Sequence, residues 1–120
     1  MLPLSPVAMR FEWDENKNLQ NLRKHGVGFE TAALVFEDPY ALTLRDVFSE
    51  KEERWITLGA IGPGSILLVI HTHRDEDSEE IIRIISARAA ASHERRAYEE
   101  AYEGAKARHP RHGRKKRRRY

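Results

Sequence analysis

The chain of 120 residues contains no cysteine, which excludes a disulfide scaffold, a thiolate metal site and a cysteine nucleophile. Its longest apolar run, at 65–70, is far shorter than the roughly 20 residues that cross a bilayer. The first residues, Met1–Ala8, lack the basic and long apolar regions of a signal peptide. We therefore expect one small domain, stabilised by packing alone, in the reducing cytoplasm.

Charge is distributed unevenly along the chain. The formal net charge is +2 and the isoelectric point is near 9.0. The segment 105–120 holds nine of the 21 Lys and Arg residues and no acid, so 1–104 has 21 − 9 = 12 bases against 19 acids, a net charge of −7. We divide the chain into an extension (1–8), an acidic domain (9–104) and a basic tail (105–120) expected to be disordered.

The first part of the domain is predicted to form a strand and a pair of helices. Asp14 is a typical N-cap and Gly26 a typical helix end, so a helix is expected over Glu15–His25, with Leu19 and Leu22 buried. A strand at 9–13 precedes this helix, and a shorter helix at 29–36, stopped by Asp38-Pro39, follows it.

From residue 40 onward, the apolar period changes from that of a helix to that of a strand. Strands are predicted at 41–46, 54–61, 65–73 and 81–88. Their tight reversals exclude a doubly wound parallel sheet. A last helix is expected at 93–103, capped by Ser92 and ended by Gly104. The fold class is α+β, with the order β-α-α-β-β-β-β-α: an antiparallel sheet, an N-terminal helix hairpin and a C-terminal helix.

The pairing of the two longest strands decides where their polar residues lie. If the acidic loop Asp75–Glu80 closes a hairpin, His71 lies opposite Arg83 on one face, and the apolar face of Ile66, Leu68 and Ile70 forms the core.

The polar group of His71 and Arg83 has three interpretations: a solvated sheet edge, a metal site of His71, His73 and Asp75, or anion recognition. Arg74 and Arg83 would repel a cation, which disfavours the metal site. We predict no metal and no cofactor.

Several short motifs follow one another in a characteristic order between Met9 and Tyr102. They are Phe11-Glu12-Trp13-Asp14-Glu15-Asn16-Lys17, Leu22-Arg23-Lys24-His25-Gly26-Val27 with Phe29-Glu30, Asp38-Pro39, Glu52-Glu53-Arg54-Trp55, Val69-Ile70-His71 with Arg74, Ile82-Arg83-Ile84-Ile85-Ser86-Ala87-Arg88-Ala89-Ala90, and Glu94-Arg95-Arg96-Ala97-Tyr98. In this combination the chain resembles the BrnT toxins of type II toxin–antitoxin systems.

The resemblance implies a RelE-like fold and a ribonuclease that inhibits translation. It also implies a BrnA-like antitoxin with a ribbon-helix-helix module, a toxin dimer within a hetero-oligomer, and operator DNA bound only through the antitoxin. Ala89 and Ala91 depart from the family, which commonly has Lys or Arg and Thr there. Ala89 and the acidic domain motivate an alternative, a catalytically weak co-repressor subunit.

Metal-independent RNA cleavage needs a base for the 2′-hydroxyl, cations for the phosphorane-like transition state and an acid for the leaving oxygen. The candidate catalytic residues are Lys24, His71, Arg74, Arg83 and Arg88. His71 is the proton-transfer candidate, because the ordinary pKa of imidazole is about 6.5. Since Arg74 and Arg88 lie at opposite ends of the predicted hairpin, the strongest local pair is His71 with Arg83.

His25 and Tyr98 are candidate RNA-binding residues. Several candidates have a simpler structural alternative. Lys24 and His25 could serve only to complement the negative end of the helix dipole, and Tyr98 could serve only to pack its helix on the sheet. Glu52 and Glu53 are either a general base or ordinary loop acids. The basic tail is a solvated segment, an RNA contact, or a contact to the antitoxin or operator DNA.

Overall fold

A five-stranded mixed sheet forms the centre of the molecule in a computed structural model, which describes residues 8–50 and 53–108. The strands are β1 (Ala8–Glu12), β2 (Leu42–Arg45), β3 (Trp55–Gly62), β4 (Ser65–Glu76) and β5 (Glu79–Ala89), in the order β1-β5-β4-β3-β2. The helices are α1 (Glu15–His25), α2 (Phe29–Ala32), which continues as a 3-10 helix over Ala33–Glu37, and α3 (Ser92–Arg108). Segments 1–7, 51–52 (which includes Glu52) and 109–120, with the predictions made for them, lie outside the described residues.

The α+β class and the predicted element order are confirmed. Strands β2 to β5 are antiparallel, as expected, whereas β1 pairs with β5 in parallel. The expected loop at Asp75–Glu80 is smaller: β4 and β5 continue to a two-residue turn at Asp77 and Ser78, both with positive φ. Such a turn matches the twist of the strands it joins. No helix within the described residues is long and apolar enough to span a membrane.

Helix α1 has the predicted ends but buries a different face. Asp14 caps it by accepting from the backbone N–H of Asn16 and Lys17, and Gly26 ends it at φ 73°. The prediction that Leu19 and Leu22 are buried is wrong, because they are 47% and 50% exposed. Two asparagines face the protein instead: Asn18 accepts from the N–H of Phe29, and Asn21 bonds both backbone groups of Ala87 in β5. Backbone hydrogen bonding therefore determines the orientation of α1.

The helix hairpin of α1 and α2 covers one side of the sheet, which we call the hairpin face (Leu67, Val69 and His71 on β4). Phe29, Ala32 and Val35 are fully buried against it, with Ile82 and Ile84 of β5. Gly59 of β3 lets the 3-10 helix approach closely, since a Cβ there would lie 2.7 Å from Val35 Cβ.

Helix α3 covers one end of the opposite face, so the sheet has a core on both sides. Tyr98 packs with Leu58, Ile66 and Leu68 in this second core. The prediction of one core face was therefore incomplete. The expected cap at Ser92 is also wrong, because Glu94 reaches back to accept from the N–H of Ala91 at 2.8 Å and thus caps the helix one residue earlier. Gly104 does not end α3, which runs on to Arg108.

Candidate functional site

A bulge in β5 decides which polar residues share a face. Ile70 pairs with Ser86 and His71 with Ile84, so Ile85 has no partner in β4. Beyond this bulge, Thr72 lies opposite Arg83. The prediction that His71 lies opposite Arg83 is wrong: because neighbouring residues of a strand point to opposite sides, these two side chains lie on opposite faces.

His71 is enclosed on the hairpin face. It is 3% exposed, and its Nε2 lies 2.7 Å from the hydroxyl oxygen of Thr57, which in turn bonds Thr43. Nδ1 lies 3.2 Å from the carbonyl oxygen of Thr72, and the Phe36 ring packs edge-on at 4.9 Å. Burial lowers the pKa of His71 to about 4, so the ring is neutral at neutral pH.

The other side of the sheet carries a group of charged residues beyond the reach of α3, and we call this side the arginine face. Its residues are Arg10 and Glu12 on β1, Thr72, Arg74 and Glu76 on β4, and Glu79 and Arg83 on β5. Arg74 and Arg83 are diagonal neighbours, with side chains 44% and 45% exposed. The structure therefore brings two of the predicted catalytic arginines together.

Glu12 lies between these two arginines. Its Oε1 accepts from Arg74 Nη1 at 3.0 Å and lies 3.8 Å from Arg83 Nη1. The hydrogen bond from Arg74, with the positive charges of both arginines, holds the pKa of Glu12 below its usual range. The carboxylate is therefore ionised at neutral pH.

The two guanidinium groups are not equally engaged. Arg74 also donates from Nε to Glu76 at 3.3 Å, so carboxylates occupy two of its edges. Among the residues that the structure describes, Glu12 is the one carboxylate in contact with Arg83, at the looser distance of 3.8 Å. With a side chain that is 45% exposed and lies beside the hydroxyl-bearing Thr72, Arg83 is the better placed of the two for an external anion.

Arg88 lies apart from this cluster. It pairs with Leu68, six residues from Arg74 along β4, or about 20 Å at 3.3 Å per residue. Its guanidinium donates to both oxygens of Glu94, at 2.8 and 2.9 Å, and this pairing lowers the pKa of Glu94 to about 2. The pair joins the end of β5 to the start of α3.

Tyr98 is part of the second core. It is 6% exposed, and its hydroxyl donates to Asp38 at 2.6 Å. Burial, together with this carboxylate, raises the pKa of Tyr98 above its ordinary value. The ring and the hydroxyl are therefore both engaged within the protein.

Lys24 and His25 are exposed in the last turn of α1, on the hairpin side of the sheet.

His73 is near Glu80 at 3.6 Å and Asp75 at 3.9 Å. Within the described residues, no three His, Asp or Glu side chains come together as a metal site. Glu53 forms an exposed pair with Arg45 at 3.2 Å.

The arginine face is suited to a phosphodiester: Arg83 is a half-exposed cation, Arg74 is a second cation, and Glu12 is an ionised carboxylate between them. Glu12 is not among the site residues that the sequence predicts. The available signal was its alternation with Arg10 on a short strand, but its partner Arg74 is 62 residues away.

Comparison with known proteins identifies relatives of this chain. The model of the family described as "Ribonuclease toxin, BrnT, of type II toxin-antitoxin system" matches residues 13–94. The 1.1 Å crystal structure of the Brucella abortus ribonuclease toxin BrnT is similar, with 28% sequence identity and a TM-score of 0.51. The similarity covers 71% of this chain and 100% of that one. Among curated proteins, no sequence matches.

Proposed function

This chain belongs to the BrnT family of ribonuclease toxins of type II toxin–antitoxin systems, and we propose that it cleaves RNA on the arginine face without a metal ion. The observation that carries the proposal is the convergence of Arg74 and Arg83 on an open part of the sheet. Two arginines provide paired donors for phosphate oxygens, and fixed donors stabilise the charge that develops on the transition state.

Within this proposal, Arg83 binds the reacting phosphate and Arg74 is the second cation. Arg88 is assigned to a flanking RNA contact or to anchoring α3, because it lies about 20 Å from Arg74 along the strand. Lys24 and His25, on the hairpin side, are assigned to peripheral contacts.

Two of the candidates have structural roles in the proposal. His71 is enclosed and neutral, so it stabilises the hairpin face rather than transferring protons to RNA. Tyr98 anchors α3 through Asp38.

A toxin of a type II system has an antitoxin partner. We propose that this partner is a BrnA-like antitoxin with a ribbon-helix-helix module, that two toxin copies share one hetero-oligomer, and that operator DNA is contacted only through the antitoxin. RNA cleavage in the cytoplasm would then inhibit translation.

The test is RNA cleavage by the purified, antitoxin-free protein in EDTA, on a mixed-sequence RNA both free and ribosome-bound. We expect products with a 2′,3′-cyclic phosphate. Arg83→Ala should lower kcat/KM by about 10²- to 10³-fold, the usual effect of losing one transition-state donor. Arg45→Ala, which removes an exposed arginine from the hairpin face, is the matched control.

The co-repressor function is the second candidate. It is favoured by the carboxylate partners that Arg10, Arg74 and Arg88 already have, since these partners compete with phosphate. Intact RNA with the wild-type protein, normal growth on expression of the toxin alone, and operator binding only together with the antitoxin would replace the ribonuclease proposal with this one.

A further inference from the structure

We infer that Glu12 is the general base of the proposed RNA cleavage: its carboxylate takes the proton of the 2′-hydroxyl in the nucleotide whose 3′-phosphate binds Arg83. The inference rests on the proposed function and adds a catalytic residue to it.

Residues of β5 and β4 hold Glu12 of β1 in position. Glu12 and Arg83 are direct partners in the parallel pairing of β1 with β5, and Arg74 holds the same carboxylate from β4. The side chain is nevertheless 32% exposed, so the carboxylate remains accessible from the open part of the arginine face. Glu12 is thus oriented by the protein and reachable by a ligand.

The geometry of RNA places the reacting hydroxyl near this carboxylate. In RNA, the 2′-oxygen and the adjacent 3′-phosphate are attached to neighbouring carbons of one ribose. A phosphate oxygen bound by a guanidinium lies about 2.8 Å from the donor nitrogen. Since Glu12 Oε1 is 3.8 Å from Arg83 Nη1, a phosphate bound to Arg83 brings the 2′-hydroxyl within reach of Glu12.

Other acids on this face are placed differently. Glu76 contacts Arg74 and Arg10, and Glu79 contacts Arg10. Within 8–50 and 53–108, Glu12 is the one carboxylate in contact with both Arg74 and Arg83. Arg74 keeps the pKa of Glu12 below its usual range, so the carboxylate is ionised at neutral pH but is a weaker base than an ordinary glutamate, and its assignment as the base rests on its position beside Arg83.

Glu12 takes the proton from the 2′-hydroxyl, and the 2′-oxygen forms a bond to phosphorus while the bond between phosphorus and the 5′-oxygen breaks. The 5′-oxygen leaves with the bonding electron pair and takes a proton from water. The products are a 2′,3′-cyclic phosphate and a 5′-hydroxyl, and Glu12 then returns its proton to solvent.

The experiment compares Glu12→Gln with Glu76→Gln. Both substitutions remove one negative charge beside Arg74, but only the first removes the carboxylate next to Arg83. We expect Glu12→Gln to lower kcat by about 10²- to 10⁴-fold, the usual contribution of a general base. Glu76→Gln should keep kcat close to that of the wild type. Thermal unfolding checks that both variants are folded.

Two further measurements separate a base from a residue that only positions the arginines. Glu12→Gln should bind a non-cleavable 2′-deoxy substrate at least as tightly as the wild type, because removing the carboxylate lowers the negative charge near the phosphate. The fall in kcat at acidic pH should be present in the wild type and in Glu76→Gln, and absent from the residual activity of Glu12→Gln.

An undiminished kcat in Glu12→Gln would overturn the inference, as would a loss of RNA binding that accounts for the lost activity. In both cases the proposed function survives if the wild type cleaves RNA and Arg83→Ala does not. Absence of cleavage by the wild type is, by contrast, the failure of the proposed function itself.

Discussion

The side chain of His71 is enclosed by Thr57, Phe36 and the backbone of Thr72, and this enclosure keeps it neutral. In the folded protein the pKa is about 4, whereas in the unfolded chain it is near the ordinary value of 6.5. Between these pH values the unfolded state binds more protons than the folded one. Stability therefore falls as the pH falls through this window.

We predict that His71 makes unfolding strongly pH-dependent. Its contribution is complete above about pH 6.5 and decreases by roughly 3 kcal/mol by pH 4, at about 1.4 kcal/mol per pH unit. Urea unfolding between pH 4 and pH 7 should show a flatter dependence in His71→Leu than in the wild type. Equal slopes in the wild type and His71→Leu would contradict the prediction.

At the scale of elements, the attachment of α1 depends on an asparagine rather than on its leucines. Asn21 donates to the carbonyls of Val27 and Ala87 and accepts from the N–H of Ala87. The pairing of β5 with β1 ends at Arg83, so Ala87 has no β1 residue beside it. The side chain of Asn21 provides hydrogen-bond partners for the backbone of Ala87 instead. A side chain thus replaces a neighbouring strand there.

We predict that Asn21→Ala costs more stability than Leu22→Ala. The first leaves buried backbone groups of Ala87 without partners, at about 1–3 kcal/mol each in general, so a loss of at least about 2 kcal/mol is expected. Leu22 is 50% exposed, and its truncation should cost less than about 1 kcal/mol. Urea unfolding at neutral pH measures both, and the reverse order would show that α1 is held by its apolar residues.

Elements were predictable from sequence where local signals determine them. Asp14 and Gly26 act on the backbone within a few residues of themselves, so both ends of α1 could be predicted. The faces of β5 could not be predicted, because the bulge lies at Ile85, in a segment rich in isoleucine with no glycine or proline to mark it. Glu12 could not be recognised as a site residue either, because its contacts with Arg74 and Arg83 form only when the complete sheet is assembled.

For the whole molecule, the excess of positive charge comes from the last 16 residues of the sequence. Residues 1–104 carry a net charge of −7, which repels RNA at long range. Carboxylates also neutralise much of the arginine face. A few placed cations suffice for local phosphate binding, but they do not attract a polyanion to this acidic surface. The basic segment at the end of the chain is the available source of that attraction.

We predict that the segment 109–120 sets RNA affinity and salt dependence but not the rate of the chemical step. Ending the chain after Arg108 removes seven Lys and Arg residues and changes the formal charge from +2 to −5, since 2 − 7 = −5. For single strands, the slope of log K against log salt is about −0.7 per phosphate contact, so it should become shallower by up to about 5.

Fluorescence anisotropy with a non-cleavable RNA over a range of salt concentrations measures this slope, and single-turnover cleavage at saturating RNA measures the chemical step. A full-length variant with those seven bases replaced by Ser should behave like the truncated chain, because charge and not length is responsible. If both variants keep the wild-type slope but lose affinity for the antitoxin or its operator complex, the segment acts in assembly rather than on RNA. In that case, the arginine face binds RNA without a contribution from the segment 109–120.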